Sequence, residues 1–348
     1  MTDRDDQHGP FRWGVLGTGN IAGQFCRDLN GLSGHELSAV ASRSADRAAD
    51  FCREHGGTAV GGYDDLLDDP GLDGVYVSLP NALHAEWTRK ALRAGHHVLC
   101  EKPLATSVAE AEGMFDAARK ADRLLVEAFM WRCQPQTRRM LQAIREGEIG
   151  TVKTIRASFC YRTTKFDGNV RFDPELAGGA LMDVGCYCLD AILLFGGGGV
   201  SSVSAEARRH DRGVDAATSG VVTLDNGVHA TFTCALDTQL DNTLIIGGTG
   251  GYLTATIPWK PGEGAGFTVK QAARPKQELK AGETAGPPPE RFFETPPTMP
   301  LYAAEAEAFA NAVRGMAEPF MTRDDSLALA RLLDRARSSA ASSGTSQA

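Results

Sequence analysis

Hydrophobic and polar residues follow two different patterns along this chain, and the change from one to the other predicts two domains. From Phe11 to about Met130, short apolar runs alternate with longer amphipathic runs. The apolar runs, such as the one over 74–79, have the density of strands that are buried on both faces. In the amphipathic runs, such as the one over 84–94, apolar residues recur at helical spacing. This alternation predicts right-handed βαβ crossovers and therefore an N-terminal Rossmann domain with a parallel sheet.

The bounds of these predicted elements follow from where each run begins and ends. Strands are predicted over 13–16, 37–41, 74–79, 97–100 and 124–129. Helices are predicted over 21–29, 45–55, 63–67, 84–94 and 107–120. Strands and helices thus alternate throughout this part of the chain, as a parallel sheet requires.

Past Pro135 the pattern changes, because strand-like runs follow one another directly. They cover 152–161, 200–208, 220–224, 228–235, 242–247 and 251–257. The turn Asp225-Asn226-Gly227 is a hairpin signal, so this part is predicted as an α/β domain with a mostly antiparallel sheet. The Pro/Gly-rich stretch 260–300 is predicted to form loops with at most an edge strand. Helices are predicted over 136–146, 179–195, 302–314 and 323–337.

These patterns give the domain boundaries. We predict a dinucleotide-binding Rossmann domain over 11–132 and a second α/β domain, for substrate binding and oligomerisation, over 133–337. The tails at 1–10 and 338–348 are polar or small, and we expect them to be disordered because they have little apolar surface to bury. A chain of 348 residues is also longer than one core usually organises.

Charge and composition exclude several classes of partner. The formal net charge of -8 and a pI near 5.5, without a basic block, argue against nucleic acid or an anionic membrane. The chain has no apolar run of membrane-spanning length and no basic-then-apolar start, so we expect a cytoplasmic protein. Its eight cysteines have neither the spacing of a zinc site nor the density of a disulfide scaffold. No metal site is therefore predicted.

A glycine motif after the first predicted strand indicates a nucleotide site. The run Gly17-Thr18-Gly19-Asn20-Ile21-Ala22 has the pattern G-x-G-x-x-A between a strand and a helix. Gly17 permits a tight turn, Gly19 lets the backbone approach a pyrophosphate, and the small Ala22 lets the helix pack on the strand. We expect residues 17–21 to bind the pyrophosphate at the helix N-terminus. An ordinary glycine-rich turn is the alternative.

The end of the second predicted strand indicates which dinucleotide is bound. Enzymes that use NAD usually place an acidic residue here for the ribose 2′-hydroxyl. This chain has Ser42-Arg43 instead, with Arg47 one helical turn further on. A hydroxyl and a guanidinium suit a 2′-phosphate, so NADP(H) is expected rather than NAD(H). A solvated Arg43 at the start of a helix is the alternative.

Polar residues follow two further strands, at the sheet edge where α/β proteins bind their ligands. The first group is Leu79-Pro80-Asn81 with His84, and the second is Glu101-Lys102-Pro103. A lysine directly after a buried strand is a candidate catalytic residue beside the nicotinamide, and its bond to proline is a candidate cis peptide. We expect both groups to contact the cofactor. A surface lysine paired with Glu101 and a histidine that caps a helix are the alternatives.

Several of these motifs, in this order, resemble the glucose-fructose oxidoreductase/inositol dehydrogenase (Gfo/Idh/MocA) family. The resemblance rests on the glycine motif, on Pro80-Asn81-x-x-His84, on the run from Ala94 to Leu104 and on the run from Gly178 to Tyr187. It covers the chain from about residue 11 to 337. It implies a Rossmann domain followed by an α/β domain with a large open sheet. It also implies hydride transfer between a nicotinamide cofactor and a sugar-like alcohol or ketone.

The resemblance implies roles for individual residues. The family's Glu-Lys-Pro lysine maps onto Lys102, and its downstream Asp-x-x-x-His/Tyr pair maps onto Asp183 and Tyr187. A tyrosine at the last position resembles the branch of dimeric dihydrodiol dehydrogenase, aldose dehydrogenases and keto-sugar reductases. That branch also resembles this chain around Trp131 and Arg132, which we expect to line the cofactor or substrate cleft. Packing between domains is the alternative for these two residues.

Two residues depart from the family pattern. Gln134 stands where a histidine is frequent, and Ala177 replaces the first glycine of a frequent Gly-Gly-Gly. These departures leave the substrate contacts open.

Residue chemistry supports a role for Asp183 and Tyr187. Four residues apart on a predicted helix, they share one face within an apolar run. A buried carboxylate is unfavourable unless it is paired or binds a ligand, so Asp183 is a candidate site residue. A hydrogen-bonded Asp and a Tyr that is part of the core are the alternatives. In ketone reduction, Tyr187 would donate the proton and Asp183 would orient a neighbouring hydroxyl of the substrate.

Lys102 completes this prediction. Its ammonium would stabilise the developing charge on the carbonyl oxygen and make the Tyr187 hydroxyl more acidic. Whether Tyr187 or Lys102 carries the proton directly stays open, because a hydrogen-bonded pair titrates as a unit.

We therefore predict an NADP(H)-dependent oxidoreductase that acts on the CH-OH group of a sugar, a keto-sugar, free or nucleotide-linked, or a cyclic diol. One alternative is an NAD-dependent glycoside-cleaving enzyme of the same fold, which Arg43 disfavours. Another is a non-catalytic nucleotide-binding sensor, which the set of Lys102, Asp183 and Tyr187 disfavours. An exposed face of the second sheet would suit a homodimer or homotetramer.

Overall fold

The chain folds into two compact units. The computed structural model describes residues 9–255, 257–273 and 288–343. Unit 1 contains the described residues up to Cys133, together with Glu175–Ala177 and Met299–Arg331. Unit 2 contains Gln134–Pro174, the described residues of Gly178–Thr298 and those from Leu332 onward.

A six-stranded parallel sheet forms the centre of unit 1. Its strands are β1 (Phe11–Leu16), β2 (His35–Ala41), β3 (Thr58–Val60), β4 (Gly74–Val77), β5 (His97–Glu101) and β6 (Leu125–Ala128). Their order is β3-β2-β1-β4-β5-β6, and every pair is parallel. This is the Rossmann order, whose topological switch point lies between β1 and β4. The predicted parallel sheet is confirmed, with β3 as an additional short edge strand.

Helices connect these strands. They are α1 (Asn20–Asn30), α2 (Ala45–His55), α3 (Tyr63–Leu67), α4 (Asn81–Arg93) and α5 (Val108–Ala121). Serine side chains cap α2 and α5, where Ser44 accepts from the Arg47 amide and Ser107 accepts from the Glu110 amide. The helix α4 begins at Asn81, earlier than predicted, so Asn81 lies in its first turn.

An eight-stranded sheet forms the centre of unit 2. Its strands are β7 (Val152–Cys160), β8 (Val200–Arg209), β9 (Asp215–Leu224), β10 (His229–Ala235), β11 (Asn242–Gly248), β12 (Gly251–Ala255), β13 (Gly266–Gln271) and β14 (Glu290–Glu294). Their order is β14-β13-β12-β11-β7-β10-β9-β8. Only β7 and β10 pair in parallel, so the mostly antiparallel sheet is confirmed. The stretch 260–300 supplies two strands, β13 and β14, rather than at most one, and its residues 274–287 lie outside the described part.

The helix α7 (Cys186–Gly196) packs on β7 and β10 of this sheet, and α6 (Pro135–Arg145) lies earlier in the same unit. The residues Leu181–Gly185, directly before α7, form a turn of π-helix. The sequence predicted one regular helix over 179–195. A π turn inserts an extra residue per turn, and such turns are frequent at functional sites.

The two last helices differ from the prediction. Although α8 (Leu301–Val313) was placed in the second domain, it belongs to unit 1, because Phe309 packs on Phe11 and Trp13 of β1 with ring centroids 6.1 and 5.3 Å away. The helix α9 (Arg323–Ser343) continues past residue 338, where a disordered tail was predicted. Its Ser339 hydroxyl accepts from the Ala205 amide at 2.9 Å, which secures this part of α9.

Most of the cysteines are core residues. All eight are free thiols, and all except Cys52 are buried. Burial raises the pKa of Cys26 to about 12, which leaves its thiol protonated and unreactive. In the described part of the chain, no helix has the length and apolarity needed to cross a membrane.

Candidate active site

The turn between β1 and α1 has the geometry that its glycine motif predicts. Gly17 has a φ of 111°, which side chains rarely adopt, and its amide donates to the Ala41 carbonyl at 3.0 Å. A Cβ at Gly17 would lie 2.3 Å from the Ser78 carbonyl oxygen, just past the end of β4. The close approach of two backbone segments therefore requires glycine at this position.

Gly19 is surrounded by open space instead. Apart from the adjoining residues Thr18 and Asn20, no described atom of the protein lies within 4 Å of the position that a Cβ would occupy there. Gly19 and Asn20 are exposed at the start of α1, whose first turn contains no acidic residue, and Thr18 and Ile21 are half-buried beside them. Uncapped amides at a helix N-terminus attract anions. The turn fits the pyrophosphate of a dinucleotide.

The end of β2 carries cationic side chains. Arg43 and Arg47 are exposed, whereas Ser42 is buried and its hydroxyl accepts from the Ser44 amide at 3.4 Å. The charge of Arg43 acts on the phenol of Tyr63. Burial raises the pKa of Tyr63 against the opposing effect of the Arg43 charge, so its phenol is neutral. Two exposed guanidinium groups fit a 2′-phosphate at this position.

After β4, the chain enters α4 through Leu79, which is buried, and Pro80, which precedes the first turn. The Asn81 side-chain amide donates to the carbonyl of Ala177 at 2.8 Å, within unit 1. Ala177 has a φ of 55°, a left-handed conformation that is unfavourable for alanine. This is the position at which the family pattern has glycine.

His84, in the first turns of α4, is fully buried. Its Nδ1 lies 2.8 Å from the Pro103 carbonyl oxygen, and its Nε2 lies 2.8 Å from the Leu79 carbonyl oxygen. Both ring nitrogens therefore face backbone carbonyls rather than solvent.

Buried side chains fix the backbone of three consecutive residues after β5. Lys102 is partly exposed, and its peptide bond to Pro103 is cis. Three contacts with buried side chains hold this cationic residue on a fixed turn at the carboxyl edge of the parallel sheet. The three contacts join the Lys102 amide to Glu101 Oε2 at 3.2 Å, the Pro103 carbonyl to His84 Nδ1 at 2.8 Å, and the Leu104 amide to Glu127 Oε1 at 2.8 Å.

Glu101 is a buried carboxylate that the protein itself holds. Its Oε1 accepts from the hydroxyl of Tyr76, whose ring stacks on Phe25 with centroids 3.9 Å apart. Glu305 of α8 is also fully buried, and neither of its carboxyl oxygens has a hydrogen-bond partner among the described residues. Burial, together with the Glu101 charge, raises the pKa of Glu305 well above its usual range. The buried site therefore favours the protonated form of Glu305.

Trp131 and Arg132 lie in a short 3₁₀ helix after β6, and both are buried. An Arg132 guanidinium nitrogen donates to the Phe320 carbonyl at 3.3 Å and lies 3.4 Å from Asp325 Oδ2. These contacts join the 3₁₀ helix to the segment around the start of α9, all within unit 1.

In unit 2, Asp183 lies in the π-helical turn, with 13% of its side chain exposed. Its Oδ2 accepts from the Tyr161 hydroxyl at 2.6 Å and from Arg171 Nε at 2.8 Å. The Asp183 charge raises the pKa of Arg171, and burial together with that charge raises the pKa of Tyr161. Asp183 is therefore paired with a cation and a neutral phenol, which fix the direction of its carboxyl group.

The backbone before Asp183 is tightly built. Gly179 has a φ of 114°, and a Cβ there would lie 2.0 Å from Asp215 Oδ1. The other oxygen of Asp215 accepts from the Leu181 amide at 2.8 Å, at the start of the π turn. The Gly179 amide donates to the Arg171 carbonyl at 2.8 Å. These contacts place Arg171 next to the turn that carries Asp183.

Tyr187, near the start of α7, is 3% exposed and is enclosed by aromatic rings. Phe159 and Trp259 contact it edge to face, with centroids 5.3 and 6.0 Å away. These two rings stack on each other at 5.7 Å, and Trp259 Nε1 donates to the Ser158 carbonyl at 2.8 Å. A π turn followed by α-helix separates Tyr187 from Asp183, so the predicted four-residue spacing on one regular α-helix does not apply.

Sequence reasoning did not identify Tyr161, Arg171 or Trp259. A carboxylate at Asp183 within an apolar run indicated that a cationic or hydrogen-bonding partner was needed. Tyr161 directly follows β7 and Arg171 lies in a short 3₁₀ helix over Val170–Phe172, and no motif marks either residue. Only the fold brings these residues to the carboxylate.

Comparison with known proteins assigns both parts of the chain to described families. Residues 11–129 match the model described as "Oxidoreductase family, NAD-binding Rossmann fold". Residues 137–254 match the model described as "GFO/IDH/MocA C-terminal domain". Both matches agree with the resemblance found in the sequence motifs.

Characterised proteins similar to this chain include dehydrogenases and a reductase. D-xylose 1-dehydrogenase (NADP(+)) 2 from Haloferax volcanii is 36% identical over 323 residues, which cover 92% of this chain and 95% of that protein. Trans-1,2-dihydrobenzene-1,2-diol dehydrogenase from Bos taurus is 35% identical over 258 residues, which cover 73% of this chain and 76% of that protein. The crystal structure of a 3-ketoreductase from Actinomadura kijaniata in complex with NADP and TDP-benzene is similar with a TM-score of 0.84. That reductase is 35% identical, and the match covers 95% of this chain and 98% of the reductase.

Proposed function

The chain belongs to the Gfo/Idh/MocA oxidoreductase family, and from that premise we propose that it transfers hydride between NADP(H) and a sugar, a keto-sugar or a cyclic diol. Its similarity to a D-xylose dehydrogenase, a diol dehydrogenase and a ketoreductase supports this range of substrates. Two of these names describe a dehydrogenation, and the third describes the reduction of a ketone.

One observation carries the proposal, namely the fixed turn at Lys102 in unit 1. The strands β1, β4 and β5 are neighbours in the sheet, and the glycine turn follows β1 while Lys102 follows β5. Open α/β sheets bind their ligands at this carboxyl edge, at the switch point between β1 and β4. A surface lysine would not need buried side chains to fix its own backbone and that of the two residues after it. We therefore assign Lys102 to the reacting end of the cofactor.

The proposed cofactor is NADP(H). Residues 17–21 would hold its pyrophosphate, because Gly19 leaves open space in front of uncapped amides. Ser42, Arg43 and Arg47 would hold the 2′-phosphate, at the strand end where NAD enzymes place an acid. When bound, NADP(H) supplies or accepts the hydride.

We propose that Lys102 and Tyr187 handle the proton that the substrate oxygen gains in reduction and loses in oxidation. A tyrosine hydroxyl can give a proton to the carbonyl oxygen during reduction and take one during oxidation, while an ammonium stabilises negative charge on that oxygen. The aromatic rings of Phe159 and Trp259 keep water away from Tyr187, which strengthens electrostatic interactions there. Asp183, held by its cation and phenol partners, would orient a neighbouring hydroxyl of the substrate.

The test is a cofactor-linked screen of the purified protein. NADP⁺ and NAD⁺ are each supplied with aldoses, inositols and a cyclic trans-diol, and NADPH is supplied with keto-sugars. We expect turnover with at least one class and a preference for NADP(H). If no class gives turnover while NADPH still binds, the sensor alternative is favoured. A glycoside is also supplied with NAD⁺, and its cleavage without net change of the cofactor would favour the other alternative.

A pair of variants tests the cofactor assignment. We expect Arg43→Ala to narrow the preference for NADP over NAD roughly ten- to a hundredfold, because a hydrogen bond to a charged group is lost. Arg53→Ala, at an exposed arginine in the last turn of α2, is the control and should leave the preference unchanged. An unchanged preference in Arg43→Ala would mean that the 2′-phosphate binds elsewhere.

A further inference from the structure

Both ring nitrogens of His84 face backbone carbonyls, and the side chain is fully buried. The residue is 0% exposed, and each ring nitrogen lies 2.8 Å from a carbonyl oxygen. In this structure the contacts of the ring nitrogens are with the protein itself. The buried ring therefore acts on the protein backbone.

The two carbonyls belong to the segments that follow neighbouring strands. Leu79 lies in the connection after β4, and Pro103 lies in the turn after β5, next to Lys102. Proline has no amide hydrogen, so its carbonyl is the only backbone group through which hydrogen bonds can hold this residue. The imidazole thus joins the Lys102 turn to the connection after β4.

We infer that His84 is a positioning residue, which holds Lys102 in its working place by binding the Pro103 carbonyl. The inference rests on the proposed function, in which Lys102 contacts the reacting atoms. The contacts on either side of Pro103 support it, because the Lys102 amide binds Glu101 and the Leu104 amide binds Glu127. His84 supplies the third of three buried side-chain contacts on three consecutive residues.

The chemistry of the ring supports a role in holding the backbone rather than in proton transfer. Burial lowers the pKa of His84, against the opposing effect of the two carbonyls, and the Lys102 charge lowers it further. Carbonyl oxygens only accept hydrogen bonds, so the ring donates to both carbonyls when it is protonated and to one of them when it is neutral. Both nitrogens already face the backbone, which leaves neither for the substrate.

The same unit contains a matched control in His96. This residue is 2% exposed, and its Nε2 and Nδ1 lie 2.8 and 3.3 Å from the carbonyls of Leu67 and Leu72. His96 precedes β5 and Leu72 precedes β4, so this bridge lies at the amino edge of the same sheet, away from Lys102. It has the same chemistry and burial as His84 without the link to the candidate site.

The experiment compares His84→Leu and His84→Gln with His96→Leu, His96→Gln and Lys102→Ala. For each, kcat is measured with NADP⁺ and the substrate that the wild type turns over fastest in the screen, and NADPH affinity is measured by fluorescence titration. Thermal unfolding of each variant is recorded. We expect His84→Leu to lower kcat roughly tenfold or more, because small displacements of a reacting group have large effects. Its dissociation constant for NADPH should stay within about twofold of wild type.

The other variants separate positioning from general loss of structure. Glutamine keeps a side-chain N–H, so His84→Gln should recover part of the kcat that leucine removes. His96→Leu and His96→Gln should lower the unfolding temperature and leave kcat unchanged. If His84→Leu does not fold, His84→Phe carries the test, because phenylalanine fills the buried site with a ring that has no N–H, and a wild-type kcat in that variant overturns the inference.

Three further results would overturn it. The first is a wild-type kcat in folded His84→Leu when Lys102→Ala is inactive, which leaves the proposed function intact. The second is a loss that appears in NADPH affinity rather than in kcat. The third is an equal loss of kcat in the His96 variants. Full activity in Lys102→Ala is a different outcome, because it contradicts the proposed function itself.

Discussion

The Nε atom of Arg171 lies 2.8 Å from Oδ2 of Asp183, and Tyr161 donates to the same oxygen. Only 13% of the Asp183 side chain is exposed, and burying an unpaired charge is strongly unfavourable. The two donors therefore allow a carboxylate to stand in an otherwise apolar helix. In the proposed function, they hold the group that orients the substrate.

We expect Arg171→Met to lower the free energy of unfolding by about 1–3 kcal/mol, because Asp183 loses its cation. This is less than for a fully buried pair, since 35% of the Arg171 side chain is exposed. Tyr161→Phe removes a neutral donor and should lower it by about 1 kcal/mol. Urea unfolding of both single variants and the double variant measures these effects. Both donors act on one oxygen, so additive effects would contradict the account.

Substitution by alanine should affect two glycines of the same turn differently, lowering stability at Gly17 and NADPH affinity at Gly19. A methyl group at Gly17 would clash with the Ser78 carbonyl, so Gly17→Ala should lower stability by about 1–3 kcal/mol. Gly19→Ala meets open space and should change stability by less than about 1 kcal/mol, but it should weaken NADPH binding roughly tenfold or more. Thermal unfolding and fluorescence titration measure the two effects. Unchanged NADPH affinity in Gly19→Ala would show that the pyrophosphate does not lie at this turn.

Glu305 should make stability depend on pH. The native protein keeps a proton on this buried carboxyl, which the unfolded chain releases above a pKa near 4.5. The stabilisation that comes from keeping this proton in the native state is therefore fully present below pH 4.5. The free energy of unfolding falls as the pH rises toward the raised native pKa, by up to about 1.4 kcal/mol per pH unit. Glu305→Gln replaces the protonated acid with a neutral group of the same shape and removes this dependence.

Urea unfolding at about pH 5 and about pH 8 measures this effect. The difference in free energy of unfolding between Glu305→Gln and wild type should shift in favour of the variant at the higher pH. Glu318→Gln, at an exposed residue of the same unit, is the control and should show the same difference from wild type at both pH values. A constant difference for Glu305→Gln as well would mean that Glu305 is ionised in the native state.

The parallel sheet of unit 1 could be predicted because β1, β4 and β5 are dense apolar runs with helices between them. The strand β3 (Thr58–Val60) could not, because it has three residues, two of them exposed, and its conformation depends on pairing with β2. The place of α8 in unit 1 could not be predicted either, because it depends on the contact of Phe309 with Phe11 and Trp13 of β1, which are far away in sequence.

Some parts of the candidate site could be predicted from local sequence, and others depend on contacts between distant residues. The glycine turn, Arg43 and Lys102 each stand at the end of a recognisable strand, so local sequence was enough to predict their positions. The contacts of Glu101 with Tyr76, and the burial of Glu305 near them, join residues that are far apart in sequence. A π turn at Leu181–Gly185 likewise depends on how the helix packs, and apolar spacing does not distinguish it from an α-helix.

The most direct test of the central claim is the kcat of Lys102→Ala, measured beside its affinity for NADPH. The account predicts that kcat falls by roughly 10²–10⁴-fold, because charge stabilisation and proton handling are lost, while the NADPH dissociation constant stays within about threefold. Lys120→Ala, at an exposed lysine of α5, should match the wild type in both. A Lys102→Ala variant that binds NADPH and turns over at the wild-type rate would contradict the account.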